Sequence, residues 1–222
     1  MKITYLGHSA VKIETNGEVV LIDPFLVCAR EYDYKKDNIK NILITHAHND
    51  HVGSALEISK ATGANIVGVF ELANYFNSKG IEAIGANLGG WIDFSWGRVM
   101  LCPASHSSTF ANGASGGIAV GFLLEIEGKL IYHAGDTGLI QDFKTIPEFG
   151  RVDLAFLPIG GFYTMGPDEA IIGANWLNAK VLCPIHYNTF PPIEVDIEEF
   201  KNKCSKASIQ PKVINILETV EI

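Results

Sequence analysis

Three of the seven histidines in this chain fall within one short stretch, Thr45-His46-Ala47-His48-Asn49-Asp50-His51. The order His-x-His-x-Asp-His gathers imidazoles and a carboxylate closely enough to share a cation, and it has few other physical uses. It follows the apolar run Ile42-Leu43-Ile44, which reads as a buried strand ending in a loop. A strand that delivers ligands to a loop preorganises a metal site. Three further candidates also close apolar runs: His106 after Val99–Pro103, Asp136 after Leu130–Gly135, and His186 after Val181–Ile185. In open α/β sheets such junctions line the ligand crevice.

Imidazole is the usual ligand of zinc and also binds iron and nickel, while carboxylates suit harder ions such as manganese. A carboxylate can bridge two cations; a neutral imidazole cannot. Five histidines and two aspartates, one of them bridging, fit a dinuclear site with cations about 3.5–4 Å apart. The expected cofactors are therefore two divalent metal ions, zinc first, with manganese, nickel or iron as alternatives. Coordination lowers the pKa of a shared water to about 7, which yields hydroxide at neutral pH. That is a nucleophile for esters, lactones, amides or phosphodiesters.

The elements that must carry these residues alternate between strand and helix. Lys2–Leu6, Ala10–Glu14 and Glu18–Asp23 read as strands, with a hairpin turn at Asn16-Gly17. Ala55–Ala61 is an amphipathic helix closed by Gly63, Asn65–Phe70 a strand, and Glu71–Lys79 a helix closed by Gly80. Two hairpins follow, Trp91–Ser95 with Arg98–Cys102 around Trp96-Gly97, and Ile118–Ile126 with Lys129–Tyr132 around Glu127-Gly128. Ser107–Gly117 is too polar and glycine-rich for anything but a loop. Val152–Pro158 is a strand, and Pro167 with two acids begins a helix running to about Asn178. Val181–Pro184 is a strand, Asp196–Cys204 a helix, and Val213–Leu217 a closing strand. This is α/β grammar. No composition break divides residues 1–222, so a single domain is expected, and its two halves share a coarse pattern without a sequence repeat.

The chain of 222 residues has a formal net charge of −8, which argues against nucleic acid or anionic membrane as partners. No apolar run approaches the roughly 20 residues of a membrane span, and the N-terminus carries no signal-peptide pattern. Cys28, Cys102, Cys183 and Cys204 are scattered and read as free thiols of a reducing compartment, with cytoplasm as the default. Cys102 and Cys183 precede ligand candidates but read as buried strand residues. The expected partner is a small-molecule substrate, and undecorated sheet edges leave room for a homo-oligomer.

The series Thr-His-x-His-x-Asp-His, then His106, then Gly135-Asp136-Thr137, then His186 resembles the metallo-β-lactamase superfamily along the whole chain. Gly7-His8-Ser9, Leu21-Ile22-Asp23-Pro24-Phe25 and Tyr132–Thr137 look like the small metal-dependent hydrolases related to L-ascorbate-6-phosphate lactonase. The resemblance implies a four-layer αββα sandwich with the site at one edge of two sheets. It assigns His46, His48 and His106 to one metal, Asp50, His51 and His186 to the other, and Asp136 to the bridge. It also makes Asp50 the catalytic carboxylate that orients the nucleophile and protonates the leaving group. His48 stands where the oxygen-reducing diiron flavoproteins carry Glu, and Asp136 where dinuclear zinc β-lactamases carry Cys. Both differences disfavour those chemistries.

Around this set, His8 is expected to bind substrate or assist proton transfer, and the aromatic loop residues Tyr163 and Tyr187 to line the pocket. Asp23 and His133 are candidates to orient ligands from behind, and Thr45 and Thr137 to hydrogen-bond ligands or shape loops. The function expected is a dinuclear metal hydrolase using a metal-bridging hydroxide on a small ester or lactone. Phosphodiester hydrolysis and a non-catalytic metal-binding sensor are the alternatives.

Overall fold

The first sheet grows from a meander of three short, half-polar strands. These are β1 (Lys2–Gly7), β2 (Ala10–Thr15) and β3 (Glu18–Ile22). Asn16 and Gly17 both take positive φ, 51° and 74°, the backbone of the tight turn that matches strand twist. The chain then switches to parallel addition: β4 (Ile39–Leu43), β5 (Asn65–Val69) and β6 (Ala83–Ala86) stack beside β3. Helices α1 (Asn49–Val52), α2 (Ala55–Thr62) and α3 (Phe70–Asn77) fill the crossovers. Gly63, left-handed at φ 76°, stops α2 as its type predicts.

The second sheet repeats the plan. Strands β7 (Trp91–Phe94), β8 (Gly97–Pro103), β9 (Val120–Ile126) and β10 (Lys129–His133) run antiparallel in sequence. Strands β11 (Leu154–Pro158), β12 (Val181–Ile185) and β13 (Gln210–Pro211) then add in parallel. Helices α4 (Pro167–Trp176) and α5 (Ile197–Lys206) cover the outer face, the latter capped by the Asp196 carboxylate. The last strand, β14 (Thr219–Glu221), returns to pair with β1 in the first sheet.

Alternation along the strands divides the core into layers. In β8, Val99 and Leu101 join the cluster between the sheets, with Ile13, Ile42, Phe122 and Phe156. Met100 and Cys102, on the other face, join Leu123, Tyr132 and Leu182 beneath Ala170 and Phe200 of the outer helices. On the first sheet, Ile58, Leu72 and Phe76 supply the helical cover. The result is the four-layer αββα sandwich that the resemblance implied. The computed structural model describes all residues 1–222, and none of its helices is long and apolar enough to cross a membrane.

Three local expectations are corrected. Val213–Leu217 forms no strand: the chain there passes from one sheet to the other, and the pairing segments are Gln210–Pro211 and Thr219–Glu221. The turn of the first later hairpin is Ser95-Trp96, because Phe94 pairs with Gly97. Trp96 is free to leave the ladder there, and its indole donates to Asn41 Oδ1 at 2.8 Å, bolting the hairpin to the first sheet. Part of the histidine motif is not loop but the short helix α1, which turns His51 back toward the strand ends.

Candidate metal centre

Every expected ligand lies at one edge of the sandwich, and each arrives from a strand end. The motif following β4 supplies His46, His48, Asp50 and His51. His106 follows β8, Asp136 follows β10, and His186 follows β12. Two glycines let the first loop close. Gly53, at φ 45°, would put a Cβ 2.5 Å from the Pro24 carbonyl oxygen, and Gly135, at φ 58°, would put one 2.7 Å from Thr45 Cβ. A side chain at either position meets both a left-handed backbone and a wall.

The donor atoms converge in three overlapping groups: His46, His48 and His106; His46, His51 and Asp136; and His8, Asp50, His51 and His186. The first brings together the three residues expected at one cation, and the last the three expected at the other together with His8. Asp136 lies between them. Its Oδ1 is 3.2 Å from His51 Nε2, and its Oδ2 is 3.0 Å from His186 Nε2 and 3.6 Å from His106 Nε2.

Outer contacts orient the ring atoms. Thr45 Oγ1 donates to Asp23 Oδ2 at 2.7 Å and faces His46 Nδ1 at 3.0 Å. His51 Nδ1 lies 2.7 Å from the same Asp23 oxygen. With these Nδ1 atoms protonated, the Nε2 lone pairs of His46 and His51 both face the centre. His48 presents Nδ1 instead, 3.0 Å from His46 Nε2. His51 Nε2 and Asp136 Oδ1 are fully buried yet form no hydrogen bond. Neutral imidazole lone pairs and carboxylate oxygens aimed at one another in a buried space suit divalent cations, so the donor chemistry fits.

The charges differ across the site. Burial lowers the pKa of His46, helped by His51, and burial likewise lowers that of His106. Burial would also lower His51 and His186. For His51 the charges of Asp136 and Asp23 outweigh it, and for His186 the carboxylates of Asp136 and Asp50 do, so both are raised. Burial would raise the two acids, but the neighbouring imidazoles hold Asp50 and Asp136 well below the usual carboxylate range.

Three site residues adopt left-handed backbone without being glycine: His8 at φ 55°, Asp23 at 45° and His186 at 51°. Such conformations cost on the order of 1–3 kcal/mol each and persist where the surroundings over-determine them. Here the His8 carbonyl accepts from both Tyr5 Oη at 2.8 Å and His186 N at 2.7 Å. The ring of His8 is buried, with Nε2 3.1 Å from Asp50 Oδ2 and Nδ1 3.0 Å from Thr189 Oγ1.

A cavity of about 550 Å³ opens over the centre. Besides ligand residues, its walls are Phe25, Tyr163 and Phe190 on the aromatic side and Asn49 and Ser107 on the neutral polar side. Of the three expected substrate contacts only Tyr163 lines it. His8 and Tyr187 line a separate cavity of about 270 Å³ behind the centre, so His8 meets Asp50 rather than the main cavity. His133 is internal scaffolding: Nε2 donates to the Ser9 carbonyl at 3.0 Å and Nδ1 accepts from Gly135 N at 3.2 Å. Thr45 touches a ligand, whereas Thr137 caps the Ser105 amide and shapes its loop. Cys102 and Cys183 stay in the sheet, and burial raises both thiols.

Sequence reasoning placed Phe190 in an aromatic and amide stretch beside His186, where it does line the cavity, but missed Thr189 as the partner of His8 and Phe25 as a wall. The signal for Phe25 was its place directly after the Asp23-Pro24 turn. Nothing local marked Thr189, since its partner lies 181 residues away.

Comparison with known proteins agrees with this geometry. Residues 2–186 match the family described as Beta-lactamase superfamily domain. A UPF0173 metal-dependent hydrolase of Geobacillus thermodenitrificans is 49% identical over 206 residues, covering 90% of this chain and 91% of that one. One from Anoxybacillus flavithermus is 43% identical over the full length of both. Among solved structures, Igni18, a metallo hydrolase of the archaeon Ignicoccus hospitalis, superposes with a TM-score of 0.91 at 39% identity, covering 99% of this chain and 97% of its own.

Proposed function

This chain belongs to the metallo-β-lactamase superfamily and is a metal-dependent hydrolase of it, and we propose that it acts with two divalent cations on a small ester or lactone. The observation that carries the proposal is the convergence of seven donor side chains from four strand ends beneath one cavity.

In this reading His46, His48 and His106 would hold one cation and Asp50, His51 and His186 the other, with the Asp136 carboxylate available to both. A cation pair supplies Lewis acidity and makes water nucleophilic at neutral pH. The chain's own groups do the rest. Asp23 and Thr45 fix the tautomers of His46 and His51, so those ligands need no reorganisation. Asp50, ionised and partly exposed to the cavity, accepts a proton at its carboxylate from the attacking water and returns it to the leaving oxygen. His8 holds the Asp50 carboxylate through Nε2 while Thr189 holds His8. Asn49 and Ser107 offer hydrogen bonds to neutral oxygens of the substrate.

The test is turnover by protein loaded with zinc or manganese. Hydrolysis of γ-butyrolactones or phenyl esters is expected. Turnover of bis-p-nitrophenyl phosphate alone would favour the phosphodiesterase reading and overturn this one. The ascorbate-6-phosphate branch is a weaker fit, because no lysine or arginine lines the cavity to meet a phosphate remote from the lactone.

A further inference from the structure

The walls of the cavity carry an asymmetry that bears on its substrate. The only ionisable groups lining it other than imidazoles and the Tyr163 phenol are two carboxylates, Asp50 and Asp136. Both face the centre and belong to the proposed cation site. Away from the reacting position the walls are aromatic or neutral. A charged group on the substrate beyond the scissile bond would lose water there and gain no counter-ion.

The aromatic wall is built rather than incidental. Phe25 and Phe190 lie 6.4 Å apart, and the buried His8 ring is wedged edge-on against both, at 5.5 and 5.4 Å. His8 is itself held at both nitrogens and through its carbonyl. Tyr163, which lines the same cavity, sits on a closed turn in which Thr164 N donates to Gly161 O and Gly161 N to Met165 O. Met165 N donates to Thr137 O, so the turn is pinned beside Asp136. Phe162, 80% exposed, braces the Tyr163 ring edge-on at 4.7 Å. Exposed aromatic surface gathered at the mouth of a concave site is surface that a ligand covers.

We infer that the substrate is uncharged away from its scissile carbonyl and carries an apolar, preferably planar, group held between the Phe25–Phe190 wall and Tyr163. This rests on the hydrolase reading above and specifies its substrate class. At about 550 Å³ the cavity has room for an aryl or medium-chain acyl group.

The test compares γ-phenyl-γ-butyrolactone with its para-sulfonate, a group that binds divalent cations poorly. Two readouts are taken on zinc-loaded protein, kcat/KM for ring opening and Kd by calorimetry. The neutral lactone is expected to lead by about tenfold or more in both. Phe190→Ala is expected to lower kcat/KM for the neutral lactone by about tenfold, mainly through KM, with cation content unchanged. Phe190→Lys is expected to narrow or invert the preference. Equal or better binding of the sulfonate overturns the inference, whether or not either compound is hydrolysed. Selective binding of the neutral lactone without turnover upholds the pocket's preference and sinks the ester or lactone reading alone. Phe25→Ala, on the other ring of the wall, gives a second and independent variant for the same comparison.

Discussion

The two halves of the proposed metal centre use similar side chains in unlike surroundings. The His46–His48–His106 half is all imidazole, opens toward the cavity, and has two rings, His46 and His106, whose pKa values are pushed down. The Asp50–His51–His186 half is packed among carboxylates, with Asp23 behind and Asp136 in front, and its two rings are pushed up. In the first half burial favours the neutral, cation-binding form of His46 and His106. The second attracts cations more strongly, but its imidazoles must first give up protons. The difference comes from the outer residues rather than from the ligand types, so it can be altered one neighbour at a time.

The largest effect belongs to the residue that joins the halves. Asp136→Ala is expected to lower kcat/KM by roughly two to three orders of magnitude and to remove one cation equivalent. Elemental analysis showing two cations retained would sink its bridging role and leave the halves independent.

Next comes the support behind them. Asp23→Asn weakens the acceptor shared by His51 and Thr45, and a loss of about 10–100-fold in cation affinity is expected. The loss should fall mainly on the His51 half, since His46 feels Asp23 only through Thr45. Competition with a chelator resolves the two steps, and equal weakening of both would erase the contrast drawn above. A smaller effect, about tenfold in kcat, is expected from His8→Phe, which keeps the ring wedge against Phe25 and Phe190 but removes both nitrogen contacts. KM for the neutral lactone should hold. A rise in KM with unchanged kcat would return His8 to substrate binding.

The smallest effect is protonic. Neighbouring carboxylates push His51 and His186 toward the protonated form, whereas burial pushes His46 and His106 toward the neutral one. Cation uptake should therefore release protons chiefly at the second half. Calorimetry in buffers of different ionisation enthalpy counts them, and equal release in both steps would contradict the assigned asymmetry. A raised folded-state pKa adds stability that is fully present below the unfolded value of about 6.5 and fades as pH rises through the folded value. Chelator-treated protein should thus lose urea resistance as pH rises above about 6.5. The depressed carboxyls of Asp50 and Asp136 act the other way, since their contribution is lost only in strong acid as pH falls through their folded values.

Much of this was legible in residue order because it is local. Asn16-Gly17 and Glu127-Gly128 marked their turns, Gly63 stopped its helix, and apolar runs ended where ligands begin. The contact between Asp23 and the ligand histidine was also readable, because an apolar strand ending in an acid points it outward. What escaped depends on distant partners. Strand β6, Ala83–Ala86, is short, weakly apolar and defined only by pairing with β5. The segment Val213–Leu217 has a strand's composition but spends it crossing between the sheets, and it reaches the edge of β1 only at Leu217, whose N donates to Tyr5 O. His8 was placed at the site by its motif, yet its true neighbour was decided by the closing of two sheets.

The pairing order of those sheets has a consequence for the chain's ancestry and for its engineering. Read from β14 through β1 to β6, the first sheet has three antiparallel pairs followed by three parallel ones, and from β7 to β13 the second has the same. By rank, His8 after β1 answers His106 after β8, and Asp23 after β3 answers Asp136 after β10. One unit places its acid and imidazole among the proposed cation ligands, while in its counterpart Asp23 and His8 contact those ligands from behind. The two units are contiguous in sequence except that β14 sits at the wrong terminus. Met1 and Ile222 already meet, with Ile222 N donating to Met1 O at 3.3 Å. Joining them and cutting at Gly89-Gly90, where a Cβ on either glycine would meet nothing within 4 Å, would put the two units in tandem without moving a ligand.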